Sequence, residues 1–230
     1  MPQNDHIIEV SPIGWVESVF KEKFGAPRQS GVVPSAEGRV HFYSPYDVAE
    51  AFVELQGFSH LWLITQFHLT PPDESFRPKV RPPKLGGEKK VGVFASRAPY
   101  RPNRLCLTKV KLEEVVEIEG KVQLRISGLD LVQGTPVLDV KPYLPYADSE
   151  PQATMSFGLP PVSTPVTPED ASVFSGLTEQ EITLIEQALQ AQPQPAYAKP
   201  DQFYGITLGE MNVRWHFCED DIIVTQVEKE

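Results

Sequence analysis

The segment "GVFASRAPYRPNRL", residues 92–105, places three arginines within eight positions. Arg97, Arg101 and Arg104 alternate with two prolines, and no carboxylate lies among them. Because proline restricts its own backbone and that of the residue before it, the segment is a semi-rigid frame for its side chains. A guanidinium group binds phosphate or carboxylate through two parallel hydrogen bonds and stacks on planar rings. The pattern therefore predicts an anion-binding loop.

This loop belongs to a basic region of an otherwise acidic chain. Residues 71–111 contain 11 lysines and arginines against three acidic residues, whereas residues 112–230 contain 6 basic and 20 acidic residues. Phe76, Phe94 and Tyr100 are interleaved with the cations, where they could stack on unpaired bases. Segregated charge of this kind favours a surface that binds a polyanion such as a nucleic acid. The alternative is that the arginines pair with carboxylates of the acidic C-terminal part.

Two further segments carry candidate chemistry. In "FGAPRQSG", residues 24–31, a turn between glycines offers Arg28, Gln29 and backbone groups to a ligand, although an ordinary exposed loop has the same pattern. In "ISGLDLVQGTP", residues 126–136, Asp130 stands among apolar residues just before a Gly-Thr-Pro turn. A carboxylate in that setting is either a general base or a cap of the turn.

Other chemistries have no motif to support them. Cys106 and Cys218 lie in no metal-binding spacing, the histidines form no cluster, and there is no G-x-S-x-G, P-loop or G-x-G-x-x-G motif. We therefore expect neither a metal site nor a hydrolase triad. The sequence starts without a signal-peptide pattern and has no apolar stretch long enough to span a bilayer, so we expect a cytoplasmic protein with no membrane partner.

Strand patterns dominate the first 145 residues. A Glu-Gly pair at 119–120 predicts a hairpin, and one helix is expected from Asp47 as N-cap to Gly57 at its end. Many strands with one short helix favour a mainly antiparallel sheet or barrel. The predicted strands cover residues 7–18, 38–43, 60–67, 90–96, 107–118, 121–129 and 136–143.

The composition changes near residue 150. Residues 147–170 are rich in proline, serine and threonine, which predicts a linker. Thr178 and Glu181 form a capping-box pattern that opens an amphipathic helix ended by Pro193, and residues 203–227 read as short strands. We expect a β-barrel domain at 10–151, followed at 152–230 by the linker and a small α+β domain.

Five segments in order resemble one known family. They are "EKFGAPRQSG", "RPKVRPPKLGG", "VGVFASRAPYRPN", "LDLVQGTPVLDVKPYLPYAD" and "NVRW". The first four span roughly residues 10–151, and the last extends the match into the C-terminal part. The chain resembles the TsaA-like family, whose bacterial members are the TrmO tRNA (adenine-37 N6)-methyltransferases.

The resemblance implies a fold, a cofactor and a substrate. It implies a compact, mainly β-barrel fold that binds S-adenosyl-L-methionine without a Rossmann domain, in a homodimer with the cofactor site near the subunit interface. It also implies methyl transfer to N6 of N6-threonylcarbamoyladenosine at position 37 beside the anticodon, typically in a threonine tRNA. Such a reaction needs no metal.

The family pattern assigns the cofactor contacts by position, and Arg97 is one of them. Asp130 is our candidate general base for the target nitrogen, because it has an apolar setting beside the implied cofactor turn. The implied cofactor contacts are Pro27, Arg28, Gln29, His68, Leu69, Arg97, Leu107, Leu131, Val132, Gln133 and Gly134. The candidate RNA-binding residues are Arg77, Arg81, Arg101, Arg104 and Arg214.

This chain departs from the family pattern at a few of these positions. After "RPN" the family usually continues with Pro-Ile-Gly, whereas this chain has Arg104, Leu105 and Cys106. Gln133 stands where aspartate is common, and Leu69 stands where a polar residue is common. An active methyltransferase is the expectation. A non-catalytic RNA-binding barrel and a small-molecule methyltransferase are the alternatives.

Overall fold

The structure is a computed structural model that describes residues 8–71, 75–82, 89–157, 164–191, 202–219 and 221–229. Most of its elements are strands, which we number along the chain. The first eight are β1 Gly14–Ser18, β2 Glu37–Phe42, β3 His60–Gln66, β4 Lys79–Val80, β5 Val91–Gly92, β6 Leu105–Ile118, β7 Lys121–Ser127 and β8 Thr135–Pro142.

Six of these strands close a barrel in the order β1-β2-β7-β6-β3-β8. Every neighbouring pair is antiparallel. Because strand direction alternates around the barrel, the connections that follow β1, β3 and β7 all leave from the same end. Those connections are residues 19–36, 67–104 and 128–134, and they contain most of the predicted site residues. The mainly β-barrel fold expected from the sequence is confirmed.

Side chains alternate between the barrel interior and its surface. On β6, Thr108, Val110 and Leu112 are buried, whereas Leu107 and Lys109 are exposed. This is the period of two that a strand imposes on its side chains. The buried side chains of the barrel are therefore mostly apolar, and buried hydroxyl groups such as those of Thr108 and Thr65 lie near the end that bears the three connections.

The prediction of a helix from Asp47 to Gly57 is wrong. The segment forms two short 3-10 helices, Ala49–Phe52 and Leu55–Gly57, and Glu54 between them has a left-handed φ of 67°. Asp47 caps neither helix, since the N-cap positions are Val48 and Glu54, and its backbone carbonyl accepts a hydrogen bond from the backbone of Val122 at 2.9 Å. Contacts with the barrel thus override the local helical pattern.

Two of the predicted strands are shorter than expected. The first begins only at Gly14, and the one predicted at 90–96 is a two-residue strand followed by the 3-10 helix Val93–Ala95. The side chain of Arg101 donates hydrogen bonds to the carbonyls of Val93 and Ser96, which holds this segment in a turn. The other five strands are confirmed, and so is the hairpin, where Glu119 and Gly120 have φ values of 53° and 76°.

The C-terminal part forms a second sheet with a helix. Its strands are β9 Val166–Pro168, β10 Phe203–Leu208, β11 Met211–Cys218 and β12 Asp221–Lys229, in the order β10-β11-β12-β9. A short helix, α1 Pro145–Asp148, follows the barrel, and α2 Glu179–Gln190 precedes β10. The predicted capping box of Thr178 and Glu181 is confirmed at the start of α2. The predicted stop at Pro193 lies outside the described residues. No described helix has the length and apolar character needed to cross a membrane.

The C-terminal sheet packs directly on the connection that follows β1. Phe20 forms a β-bridge with Leu208, and the ring of Phe24 stacks on that of Trp215 with centroids 6.2 Å apart. The side-chain oxygen of Gln187 on α2 accepts hydrogen bonds from the backbone and hydroxyl of Ser35 at 3.0 and 2.7 Å. One buried apolar core therefore runs from the barrel into the C-terminal part.

A close backbone approach between β2 and β1 predicts a stability effect. A Cβ added at Gly38 would lie 2.4 Å from the carbonyl oxygen of Glu17, on the strand beside it. Gly38→Ala should lower the free energy of unfolding by about 1–3 kcal/mol, because the strands must move apart. Gly92→Ala is the matched control, since nothing lies within 4 Å of its added Cβ. Urea denaturation measures both, and equal midpoints for the two variants would contradict the prediction.

Candidate active site

Asp130 lies at the barrel end from which the three connections leave. It follows β7 and Gly128, whose φ of 69° turns the chain away from the strand. The hydroxyl of Thr108 donates a hydrogen bond to Asp130 Oδ1 at 3.0 Å, and the backbone N–H of Ser30 also donates to the carboxylate. Burial raises the pKa of Asp130 to about 6, although the hydrogen bonds and the charge of Arg97 act in the opposite direction. A carboxylate of this kind can both hold and release a proton near neutral pH.

Arg97 joins the loop before β6 to the loop after β1. Its guanidinium donates a hydrogen bond to the side-chain oxygen of Gln29, whose amide in turn donates to the carbonyl of Arg28. Arg97 is also close enough to Asp130 and to Cys106 to lower the pKa of each. The structure thus brings together Gln29, Arg97 and Asp130, which come from three connections that are distant in sequence.

Thr108, Cys106, Thr65 and Ser30 also belong to this cluster, and the sequence analysis did not predict them. Cys106 Sγ lies 3.3 Å from the hydroxyl of Thr108, and burial raises the pKa of its thiol. The hydroxyl of Thr65 is buried next to the Cys106 thiol, and its interaction with that thiol lowers the pKa of Cys106 against the larger effect of burial. One signal was available for Thr108: it is a hydroxyl residue in phase with Val110 and Leu112, at a position that alternation directs into the barrel.

The turn after Asp130 is fixed to the end of β1. The hydroxyl of Ser18 donates to the carbonyl of Leu131 at 2.6 Å, and its backbone N–H donates to the side-chain oxygen of Gln133 at 2.7 Å. The backbone of Gly134 donates to Val16 at 2.8 Å, and its φ of 76° favours glycine. Leu131 is buried, Val132 and Gln133 are half-buried, and Gly134 is exposed. The glutamine that departs from the family pattern therefore anchors the turn through its amide oxygen.

Arg28 is a candidate anchor for an anionic ligand. Pro27 before it is buried and fixes the start of the loop. The guanidinium of Arg28 has no hydrogen-bond or ion-pair partner within the described residues; desolvation lowers its pKa, although the residue is exposed. An exposed arginine without a partner is suited to a carboxylate supplied by a ligand.

The remaining predicted cofactor contacts are His68, Leu69 and Leu107. His68 and Leu69 border Lys23, whose ammonium group donates to the carbonyl of Leu69; burial and the charge of Lys23 lower the pKa of His68. Leu107 is 58% exposed and points to the outer side of β6, opposite to Thr108. Within one chain the structure does not bring Leu107 to the cluster around Asp130.

The predicted RNA-binding arginines have different surroundings. Arg101 and Arg104 are half-buried and donate to backbone carbonyls, Arg101 to Ser96 at 2.7 Å and Arg104 to Thr70 at 2.9 Å. Arg77, Arg81 and Arg214 are exposed. Trp215, beside Arg214, belongs to the core.

The backbone conformation of Arg104 shows one consequence of the departure from the family pattern at this position. Its φ is 51°, a value that proline cannot adopt, so the backbone here cannot follow the path of a chain with proline at this position.

A metal has no evident place in this arrangement. Among the residues that the structure describes, no three histidine, cysteine, aspartate or glutamate side chains lie where they could hold one ion.

The fold and the cluster define a class of protein: a closed β-barrel with a polar cluster built from three loops at one end, one of them arginine-rich. Residues 15–149 match the family model of the tRNA-methyltransferase O N-terminal domain, and residues 170–230 match that of the TrmO C-terminal domain. The chain therefore belongs to the TrmO family, as its resemblance to TsaA-like sequences predicted.

Similar proteins cover nearly the whole chain. The tRNA (adenine(37)-N6)-methyltransferase of Escherichia coli is 41% identical over 229 residues, which is 94% of this chain and 96% of the relative. A Pseudomonas aeruginosa protein described as the putative S-adenosylmethionine-dependent methyltransferase RcsF is 41% identical over 225 residues, or 93% of this chain and 94% of the relative. A crystal structure of TrmO from Pseudomonas aeruginosa has a TM-score of 0.78 and 37% identity, covering 97% of this chain and 99% of that one.

The raised pKa of Asp130 predicts a pH-dependent stability. The folded protein holds this proton up to about pH 6, whereas the unfolded chain releases it near the ordinary value of 3.8. Ionised Asp130 therefore destabilises the fold, and its contribution to the free energy of unfolding falls as the pH rises from about 4 to 6, by on the order of 2 kcal/mol.

Denaturation of the wild type and of Asp130→Asn across this range measures the effect. The variant should gain stability relative to the wild type as the pH rises through 4 to 6. Asp139→Asn, at an exposed carboxylate on β8, is the control. Parallel stability curves for the wild type and Asp130→Asn would exclude a raised pKa.

Proposed function

We propose that this chain methylates N6 of the adenine at position 37 of a tRNA, beside the anticodon, with S-adenosylmethionine as the methyl donor. The relative from Escherichia coli is described as a tRNA (adenine(37)-N6)-methyltransferase, and the one from Pseudomonas aeruginosa as S-adenosylmethionine-dependent. One observation on this chain carries the proposal. The hydrogen-bonded cluster of Gln29, Arg97, Thr108 and Asp130 lies next to an arginine-rich loop.

The residues at this end of the barrel fit the parts of the methyl donor. Its carboxylate suits Arg28, which is exposed and has no partner in the described chain. The buried Pro27 and Leu131 provide apolar walls, and the backbone of residues 132–134 is fixed in a turn that can meet the edge of an adenine. Arg97 and Gln29 hold the loop of Arg28 against the strand end that carries Asp130. The remaining contacts implied by the family pattern, His68, Leu69, Leu107, Val132, Gln133 and Gly134, belong to the same proposal.

Asp130 is the proposed general base. S-adenosylmethionine supplies a methyl group on a sulfonium, which needs no further activation. The chain must therefore align the target nitrogen, exclude water and accept the proton that N6 loses. With a pKa of about 6, Asp130 is about nine-tenths ionised at pH 7 and can take that proton. Thr108 and Ser30 hold the carboxylate in one orientation.

Because Asp130 is a weak base, the nitrogen that it deprotonates must be sufficiently acidic. The exocyclic amine of plain adenine is a poor proton donor, whereas the N6–H of N6-threonylcarbamoyladenosine belongs to a urea-like group that is easier to deprotonate. The proposed substrate is therefore the threonylcarbamoylated nucleoside, in a threonine tRNA, as the family resemblance implies. The tRNA would be bound by Arg77, Arg81, Arg101, Arg104 and Arg214.

The proposal includes a homodimer, a two-domain organisation and a cytoplasmic location. Leu105 and Leu107 are exposed side by side on the outer face of β6, so a second copy that covers them would give Leu107 access to a ligand in the partner's site. The two sheets support a barrel domain at 10–151 and a linker with a small α+β domain at 152–230. A tRNA substrate favours the cytoplasm.

Nucleoside mass spectrometry of tRNA incubated with the protein and isotopically labelled S-adenosylmethionine tests the proposal. The expected product is a labelled methyl group on the nucleoside at position 37. Calorimetry on the same protein measures cofactor affinity. Cofactor binding without transfer to tRNA would favour a small-molecule methyltransferase, and tRNA binding without cofactor binding would favour a non-catalytic RNA-binding barrel.

Asp130→Asn should reduce the single-turnover rate of methyl transfer by about 100-fold or more, because the amide cannot accept the proton. The affinity for S-adenosylmethionine should change little, since asparagine keeps an oxygen that accepts from Thr108. The wild-type rate should fall below about pH 6, as Asp130 becomes protonated. Asp139→Asn is again the control. An unchanged rate in Asp130→Asn would exclude the base assignment.

A further inference from the structure

Three aromatic side chains are exposed close together beside the site. Phe76 is 58% exposed, Phe94 is 70% exposed and Tyr100 is 44% exposed. The rings of Phe76 and Phe94 are nearly parallel, with an interplanar angle of 28° and centroids 6.2 Å apart. These residues come from two segments, 75–82 and 91–104, which β4 and β5 pair with each other. We call Phe76, Phe94 and Tyr100 the aromatic platform.

Two arginines hold the platform in place. The guanidinium of Arg101 lies 6.0 Å from the centre of the Phe94 ring while it donates to the carbonyls of Ser96 and Val93. The guanidinium of Arg77 lies 5.7 Å from the centre of the Tyr100 ring. Because the half-buried Arg101 is committed to the loop backbone, the exposed Phe94 has a fixed position rather than a free rotation in solvent. A rigid exposed aromatic surface is an efficient binding element, since little conformational entropy is lost when it is covered.

The charge around the aromatic platform indicates which class of molecule would bind it. Residues 75–82 and 89–111 contain ten lysines and arginines and no aspartate or glutamate. A second copy of the chain docked face to face would bring two such surfaces together, and like charges would oppose the contact. A single-stranded nucleic acid meets both requirements, because its bases present flat faces for stacking and its phosphates neutralise the lysines and arginines.

The aromatic platform is close in sequence to a residue at the barrel end that carries Asp130. Phe94 is three residues before Arg97, which is hydrogen-bonded to Gln29 and adjacent to Asp130. Three residues span at most about 10 Å, a distance that one or two nucleotides of an extended strand can cover. A base on the platform would therefore be an immediate neighbour of a base at Asp130.

We propose that the aromatic platform stacks an anticodon-loop base next to the target adenine and so positions that adenine for methylation. This inference rests on the proposed function and adds a substrate-positioning surface to it. Recognition by stacking tolerates every base, so the platform fixes the path of the loop, while a nearby lysine such as Lys90 provides a charge for the phosphates.

The test uses the full chain and an anticodon stem-loop RNA with 2-aminopurine at position 36 or 38, because stacking quenches the fluorescence of this base. The wild type should quench one of the two probes on binding. Phe94→Leu keeps an apolar side chain of similar bulk but lacks the ring; it should abolish the quenching and weaken RNA binding by about tenfold. Phe94→Tyr should restore both, and the affinity for S-adenosylmethionine should be the same in all three proteins.

Lys90→Ala is the contrasting variant, since Lys90 is exposed in the same basic region but is not aromatic. It should lower the salt dependence of RNA binding by about one unit of slope and leave the quenching at saturation intact. Full quenching in Phe94→Leu would overturn the inference. So would a change in the monomer–dimer equilibrium of Phe94→Leu, measured by sedimentation, that leaves its RNA affinity unchanged, because the platform would then be a protein interface.

The two proposals can fail separately. If the wild type quenches the probe but transfers no methyl group to tRNA, the proposed function is wrong and base stacking by the platform stands. If the wild type methylates tRNA and Phe94→Leu binds RNA as tightly with full quenching, the platform assignment is wrong and the proposed function stands.

Discussion

The alternation of strand direction in a closed antiparallel barrel is the constraint on which the site depends. Because β1, β3 and β7 run the same way, the connections that follow them must open at one end. Each connection contributes a different element: the loop with Arg28 and Gln29, the arginine-rich loop with Arg97, and the turn after Asp130. A barrel of six strands therefore assembles a compact site from residues up to about a hundred positions apart.

The site is organised around one carboxylate held at the boundary between the apolar interior and the polar loops. Burial favours the protonated form of Asp130, while Thr108, the Ser30 amide and Arg97 favour the ionised form. The balance leaves a pKa of about 6, between that of an exposed carboxylate and that of a fully buried one. Two of these groups, Thr108 and the Ser30 amide, also fix the orientation of the carboxylate through hydrogen bonds. Basicity and geometry at this position therefore have a common origin in the packing of the barrel end.

Much of the fold could be predicted from the sequence. Strands such as 107–118 and 121–129 have clear alternation, and the Thr178–Glu181 capping box is a local signal that tertiary structure left intact. The region from Asp47 to Gly57 was mispredicted because its conformation depends on contacts with the barrel, among them the hydrogen bond between Asp47 and Val122. Val93–Ala95 was mispredicted for a similar reason, since a side chain eight residues ahead in the sequence holds the carbonyl of Val93.

Motifs in the sequence identified the loops that form the site, but the contacts between these loops could be seen only in the folded structure. The family resemblance implied that Gln29 and Arg97 share one site, whereas residue patterns alone pointed to Gln29, Arg97 and Asp130 separately. Thr65 and Cys106 are neighbours of that cluster because of cross-strand register, which composition cannot reveal. The sequence also did not show which arginines are engaged in the structure. Arg101 and Arg104 donate hydrogen bonds to backbone carbonyls, whereas the guanidinium of Arg28 makes no such bond within the described residues.

The loop after β1 is attached on both of its sides, to the 128–134 turn through Gly31 and Gly128 and to α2 through Ser35 and Gln187. Phe24 extends the second attachment by stacking on Trp215. The C-terminal part therefore supports the loop after β1 and is not structurally independent of it. If this sheet were exchanged for that of a distant relative, its contacts with the loop would change, and the loop that carries Arg28 would have to adapt its conformation.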